Sequence, residues 1–196
     1  MLFRAVNPET GYELEFPVYT TRLDTIYGAT FCVLAPDYPD IEKLVMSEMH
    51  DEVVAYVNET RTKSDRERTA AAEKEKTGVF TGCYALNPYN REKVPLYVAD
   101  YVLSGYGTAA IMAVPAHDER DHAFAVKFGI PIIEVIAPGG IPQGVQEAAT
   151  VADGLLLNRG PFTGLDSTVA REKMAEYAVE HGIGKADVRY RLRDWL

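Results

Sequence analysis

The run Gly107-Thr-Ala-Ala-Ile-Met-Ala-Val114 constrains the fold more than any other stretch of the chain. It is the most hydrophobic segment, and Gly107 and Pro115 bound it. It is far shorter than the roughly 18 residues of a membrane span. A short apolar run between two breakers fits a buried strand, here expected as a central one. A helical pattern follows at once over 117–128, with Phe124 and Phe128 at i and i+4, and Gly129 and Pro131 to stop it. A buried strand that runs straight into a helix demands a layered structure with both element types.

The rest of the chain alternates in the same way. Residues 12–20 and 29–35 read as strands, and Pro17 marks the first as an edge or a bulge. Residues 21–28 join them with a helical turn. From Pro39, Ile41, Leu44, Val45 and Met49 fall at helical spacing. A break is expected at His50, with Val53, Val54 and Val57 continuing the apolar face. The charged, Ala-rich stretch 61–76 is either an exposed helix or a mobile loop. Strands are expected over 78–84, 94–99, 132–136 and 155–157, with a turn at 87–90 and a loop from 138. A last helix starts at Asp166 or Ser167, shows Ala170, Met174, Tyr177 and His181 on one face, and ends at Gly182. Many short strands with few helices give an α+β fold, and their spacing allows a mixed, barrel-like core with helices around it.

The chain has 196 residues, enough for one domain with a self-sufficient core. Its net charge of −9 argues against a surface that grips long stretches of nucleic acid backbone. A local site for one nucleotide end stays open. Cys32 and Cys83 are too few for a disulfide framework, which sets a reducing, cytoplasmic location as the expectation. The opening residues carry no basic region followed by an apolar stretch, so no signal peptide is expected. The closing residues 188–193 alternate apolar and basic side chains. They read either as a native edge strand or as a cut through a longer protein.

Two segments could carry chemistry. Thr20-Thr21-Arg22-Leu23-Asp24-Thr25 gathers three hydroxyls, a guanidinium and a carboxylate. Such a loop could hold a ribose, a phosphate or a polarised water. It could equally be a turn in which Asp24 or Thr25 caps a short helix. Val114-Pro-Ala-His117-Asp118-Glu119-Arg120-Asp121-His122 joins the apolar strand to its helix. Its acidic groups suit a first helical turn. Asp121 could instead pair with a substrate cation at a pocket mouth. A metal site on His117, Asp118, Asp121 and His122 is a weaker alternative, because the chain has only four histidines. A Cys–His nucleophilic pair is weaker still, since both cysteines lie in apolar strand patterns. No Gly-rich phosphate loop and no GxSxG elbow is present.

Taken together, residues 20–25, 106–121 and 190–196 resemble the editing domain of leucyl-tRNA synthetase. The second stretch is the most specific, and the resemblance covers essentially the whole chain. The related domains for isoleucine and valine usually have Pro and Trp where this chain has Arg22, Leu23 and Asp24. Two departures stand out: Leu23 replaces a usual proline, and Ala109 a common glycine. The first removes a fixed φ, and the second suggests a backbone site that tolerates a Cβ.

The resemblance implies a domain spanning 1–196, inserted in a larger synthetase, with 190–196 at the return to a Rossmann-type catalytic core. ATP-binding signatures of the synthetase proper are absent from these residues. The implied task is hydrolysis of the ester between a wrong amino acid, such as norvaline or isoleucine, and the terminal adenosine of leucine tRNA. Thr20, Thr21 and Arg22 would hold the ribose, the carbonyl and the attacking water. Asp121 would pair with the α-ammonium, Thr25 would exclude leucine, and Met112 and Val114 would form the apolar wall. His117 and Asp118 complete the implied substrate contacts. No metal or other cofactor is implied. The implied partners are the aminoacylated 3′ CCA end and the rest of the synthetase in cis. No membrane partner is implied, and the isolated domain is expected to be monomeric with weak tRNA affinity of its own. Two other readings fit the same groups: a binding module without turnover, and a metal-dependent phosphohydrolase on His117, Asp118 and His122.

Overall fold

Alternation of side chains builds the first hairpin. In β1 (Leu2–Val6) Phe3 and Ala5 are buried while Leu2, Arg4 and Val6 face outward. It pairs antiparallel with β2 (Glu13–Pro17), so that Phe3 lies opposite Phe16 and their rings stack. The structure, a computed structural model, describes residues 1–105, 107–144, 147–157 and 160–186. The alternating segment 188–193 lies outside the described residues.

β3 (Phe31–Leu34) is buried throughout, as a strand covered on both faces must be. A single 3-10 helix, Leu23–Gly28, leads into it, with all six of its residues buried. Leu23 opens that helix and packs into the core, so burial of its side chain anchors the loop.

The helix expected from Pro39 is not one helix. Two 3-10 turns, Ile41–Leu44 and Ser47–Met49, precede α1 (His50–Arg61), which begins where a break was expected. A side chain and a carbonyl from elsewhere recruit the backbone of this stretch. Asn7 Nδ2 donates to the carbonyls of Lys43 and Val45, and the Met46 N–H donates to the Thr81 carbonyl. Those groups are then lost to an i to i−4 ladder, while the apolar spacing survives in the buried Ile41, Leu44 and Val45.

The charged stretch forms a helix, α2 (Asp65–Lys74), started by a capping box between Ser64 and Glu67. It is not simply exposed. Arg68 is 4% exposed, and its guanidinium donates to the Asp100 and Val102 carbonyls at 3.2 and 2.7 Å. Lys127 clamps the chain just past α2 by bonding the Glu75 carboxylate and the Lys76 carbonyl.

β4 (Gly78–Leu86) and β5 (Lys93–Ala99) form a long antiparallel hairpin whose register slips between Phe80 and Tyr84. Gly82 sits in that irregularity at φ +82°, and a Cβ there would collide with the Met46 side chain. β5 runs parallel to β3, and β3 pairs antiparallel with β6 (Ala110–Ala113). The sheet order is β2-β1-β4-β5-β3-β6, a mixed six-stranded sheet curled into a half-barrel.

The most hydrophobic strand is therefore an edge strand of the sheet and not a central one. Met112 on one face and Ala113 on the other are buried in separate core clusters. Hydrophobicity reports burial of the two faces; it does not require strand neighbours on both sides. The strand is also shorter than expected because Gly107 and Ala109 both take positive φ. Ala109, at φ +56°, carries a side chain in the left-handed region. The site does hold a Cβ, but under strain. Ala109→Gly is therefore expected to stabilise the fold by about 1 kcal/mol, strain relief outweighing the added freedom of the unfolded chain. Urea unfolding at equal m-value would show it, and an unchanged or lower midpoint would contradict it.

α3 (Glu119–Phe128) starts on the Asp118 cap and stops at Gly129, φ +66°. The strand expected over 132–136 shrinks to β7 (Ile136–Ala137), paired with β8 (Leu155–Leu156). The N–H groups of Val135 and Ile136 point to the His117 ring instead of a neighbouring strand. α4 (Ser167–Glu180) starts on Asp166, buries Ala170 and Met174, and stacks Tyr177 on His181 before Gly182 turns left-handed. Among the described residues no helix is long and apolar enough to cross a membrane.

Candidate active site

The threonine-rich segment is organised around Arg22. Thr20 Oγ1 accepts the Arg22 N–H at 2.9 Å. The guanidinium holds Asp24 through Nε at 3.2 and 3.3 Å and through Nη2 at 3.2 Å. Asp24 is wholly buried, and a buried carboxylate is tolerable only with such a forked partner. Thr25 is also wholly buried, and its hydroxyl donates to the Arg22 carbonyl at 2.7 Å. Neither Asp24 nor Thr25 caps the short helix: Arg22 is the N-cap residue, with no side-chain cap. Thr21 is exposed beside them.

The strand-to-helix segment is organised around two acids and a histidine. Asp118 Oδ1 accepts the N–H groups of Arg120 and Asp121, so it is the α3 cap. Asp121 is 4% exposed, and its Oδ2 accepts the Val114 N–H at 2.8 Å. Its Oδ1 accepts the Tyr101 hydroxyl at 3.3 Å. Burial and the nearby Asp118 push the Asp121 carboxyl up to about 7, against the pull of those two donors. Met112 and Val114 are buried close by, Met112 in register with Cys32. Burial raises the Cys32 thiol well beyond its usual range, which removes it as a nucleophile.

His117 is 5% exposed and its ring is fully engaged by backbone. Nε2 accepts the N–H groups of Val135 and Ile136 at 3.1 and 3.2 Å. Nδ1 must then carry the proton, and it donates to the Thr150 carbonyl at 3.0 Å. Burial lowers the His117 pKa, so the ring is neutral. This makes His117 a clip that ties its own segment to residues 135–136 and to residue 150. The same bonds spend the nitrogens that a metal would need. Among the described residues no group of three metal-ligating side chains gathers anywhere.

The two segments meet through residues 150–151. Arg22 Nη1 donates to the Val151 carbonyl at 2.9 Å. The Thr150 N–H donates to the Ala116 carbonyl at 2.8 Å, and the Thr150 carbonyl takes the His117 proton. Arg22 and Asp24 both act electrostatically on His117. Asp153 extends the network, 4.0 Å from Arg22 and bonded to Ser167 and Arg171 on α4. The fold therefore fixes the hydroxyl-rich loop against the segment that carries Asp121.

A groove of about 400 Å³ lies elsewhere, against Thr30, Tyr84, Tyr97, Phe128 and Ile133. None of Thr20 to Thr25, Met112, Val114 or Asp121 lines it. The shared polar network, more than concavity, marks the candidate site. Sequence reasoning missed Tyr101, Thr150 and Val151. The last two act through carbonyls, which no side-chain pattern announces, and Tyr101 stands in no motif.

Comparison with known proteins bears on the same residues. The family described as "Leucyl-tRNA synthetase, editing domain" matches residues 5–179. The leucine–tRNA ligase of Dehalococcoides mccartyi strain BAV1 is 50% identical over 192 residues, 98% of this chain and 24% of that protein. The leucine–tRNA ligase of Rubrobacter xylanophilus is 51% identical over 197 residues, again 98% of this chain and 24% of the relative. Among solved structures, the ternary complex of Agrobacterium radiobacter K84 LeuRS with tRNA and LeuAMS aligns with a TM-score of 0.68 and 34% identity. That alignment covers 99% of this chain and 20% of the other. The chain thus spans about a quarter of the length of these ligases.

Proposed function

Since the chain belongs to the family of leucyl-tRNA synthetase editing domains, we propose that it hydrolyses esters of non-cognate amino acids on the 3′ end of leucine tRNA. The substrates are near-isosteres of leucine such as norvaline and isoleucine. A single apolar pocket separates such acids by only about 1–3 kcal/mol, so accuracy needs a second, hydrolytic sieve. That range is a general one, known for aminoacyl-tRNA synthetases as a class.

The observation that carries the reading is the join at 150–151, which holds the Arg22 loop beside the segment of His117 and Asp121. Asp121 pairs with the α-ammonium of the bound aminoacyl group. It spends one lone pair of each oxygen on Val114 and Tyr101, which leaves acceptor capacity for a cation. Thr20, Thr21 and Arg22 hold the ribose, the ester carbonyl and a water. Thr25, with Met112 and Val114, limits the side chains that fit. An ester is already activated, so orienting a water and stabilising the oxyanion suffice without a protein nucleophile. Water adds to the carbonyl carbon, the ribosyl oxygen leaves with a proton, and free amino acid and intact tRNA are the products.

The wider assignments follow the same reading. The domain works in cis within a synthetase, receives the CCA end of tRNA bound elsewhere on that enzyme, and needs little positive charge of its own. Turnover separates it from a binding module. Full-length enzyme carrying this domain is expected to release norvaline from norvalyl-tRNA in large excess over its own concentration. Protection of one equivalent without release would make the domain a binding module.

A further inference from the structure

Asp121 is held by two donors, and only one of them belongs to the strand-to-helix segment itself. The Val114 N–H fixes Oδ2 from the end of β6. The Tyr101 hydroxyl fixes Oδ1 from the turn that follows β5. That turn is unusually well anchored. Arg68 of α2 donates to the carbonyls of Asp100 and Val102, the two residues that flank Tyr101. The Asp100 N–H donates to the Tyr56 hydroxyl of α1 at 3.0 Å. The Tyr101 ring packs on Phe124 of α3 at 5.7 Å, and Lys76 Nζ stands 5.7 Å from its centroid. Three helices therefore fix a phenol whose polar atom meets one carboxylate.

We propose that Tyr101 is a positioning residue that aims the Asp121 carboxylate at the substrate α-ammonium, a role that presupposes the ammonium contact of Asp121. An ammonium bound by a carboxylate needs a fixed acceptor direction, and a carboxylate held at one oxygen alone can turn about its last bond. The second anchor removes that freedom. Tyr101 stays a donor throughout the working range, because burial and the adjacent carboxylate keep its phenol protonated.

The same bond favours the charged form of Asp121. The groups acting on that carboxylate are Asp118 at the α3 cap, Arg120 from α3, Tyr101 from the turn after β5, and the Cys32 thiol from β3. Lys76 stands behind the Tyr101 ring. Of these, burial and Asp118 oppose ionisation, while Arg120, Val114 and Tyr101 favour it. Loss of the Tyr101 hydroxyl thus makes Asp121 harder to ionise, and ammonium recognition fails at a higher pH.

The test is the pH profile of kcat/KM for norvalyl-tRNA hydrolysis by full-length synthetase, with Tyr101→Phe, Tyr101→Ala and Asp121→Asn compared. Tyr101→Phe keeps the ring that packs on Phe124. Its acid limb is expected to move to higher pH by roughly half a unit or more. Activity near pH 6 should fall roughly three- to tenfold, with a smaller loss near pH 8.5. Tyr101→Phe with a wild-type profile, beside an impaired Tyr101→Ala, would make the residue merely structural and overturn the proposal. If Asp121→Asn is inactive while Tyr101→Phe is unchanged, the Tyr101 role alone fails. If Asp121→Asn retains full activity, the ammonium reading fails and takes the Tyr101 role with it.

Discussion

Replacing Asp121 with asparagine is expected to cost roughly a hundredfold or more in kcat/KM for mischarged leucine tRNA, while the folded domain gains stability above neutral pH. The first effect follows from removing one partner of a buried charge pair, which costs about 2–5 kcal/mol. The second follows from proton linkage. An unfolded aspartate releases its proton near pH 4. In the folded domain burial beside Asp118 holds the Asp121 carboxyl at about 7. Between those values the folded state binds more protons, so Asp121 makes stability fall as pH rises and reaches its full cost above pH 7. Asparagine does not titrate, and its amide can still accept from Val114 and meet Tyr101. The stability difference between variant and wild type should therefore grow on the order of 2–4 kcal/mol from pH 4 to pH 8. Urea unfolding at the two pH values measures it. A difference independent of pH would show that Asp121 is ionised at little cost, and full deacylation by the variant would remove it from the mechanism. A group kept at the expense of stability is what a functional site leads one to expect.

Thr25→Ala should turn the sieve against the correct product. Thr25 is wholly buried, and its hydroxyl is tied to the Arg22 carbonyl, so its methyl has little freedom to yield. Truncation makes room for the branched end of leucine. Hydrolysis of leucyl-tRNA is expected to rise roughly 10–200-fold, the range that one carbon's worth of fit commands. Thr25→Val preserves the shape and loses only the hydrogen bond. It should still spare leucyl-tRNA. If Thr25→Ala spares it too, exclusion of leucine is not steric at this residue. If Thr25→Val cleaves it, the hydroxyl and not the bulk is responsible.

Much of this fold can be read from residue types, and the exceptions share a cause. Pro17 on an edge strand, Gly129 after Phe128 and Asp166 before Ser167 obey local rules, and the structure follows them, whereas the strand Leu2–Val6 was not expected. The 41–49 stretch and the 132–136 stretch depart from them. In both, a distant side chain takes the backbone bond that helix or strand would have used: Asn7 in the first, His117 in the second. Periodicity reports which residues are buried and carries no record of such long-range claims. The position of β6 is a related case, since two buried faces look the same in sequence whether the strand is central or at an edge.

The candidate site divides in the same way. Asp121 stands out in the sequence by its place after the apolar strand, whereas the roles of Thr25, Met112 and Val114 come only from the family resemblance; all four side chains are buried. His117 was legible as a candidate, and its two nitrogens serve the backbone of two other segments, residues 135–136 and residue 150. Ala109 holds a φ of +56°, a conformation that suits glycine better than a residue with a Cβ. Tyr101 could not be found from its neighbours, because its meaning depends on a carboxylate 20 residues away.

The most direct test is deacylation of isoleucyl-tRNA and leucyl-tRNA, both on leucine tRNA, measured side by side with full-length synthetase carrying this domain. Rapid hydrolysis of the isoleucyl ester and sparing of the leucyl ester is the expected result. Equal hydrolysis of both esters, or of neither, would contradict an editing function for this chain.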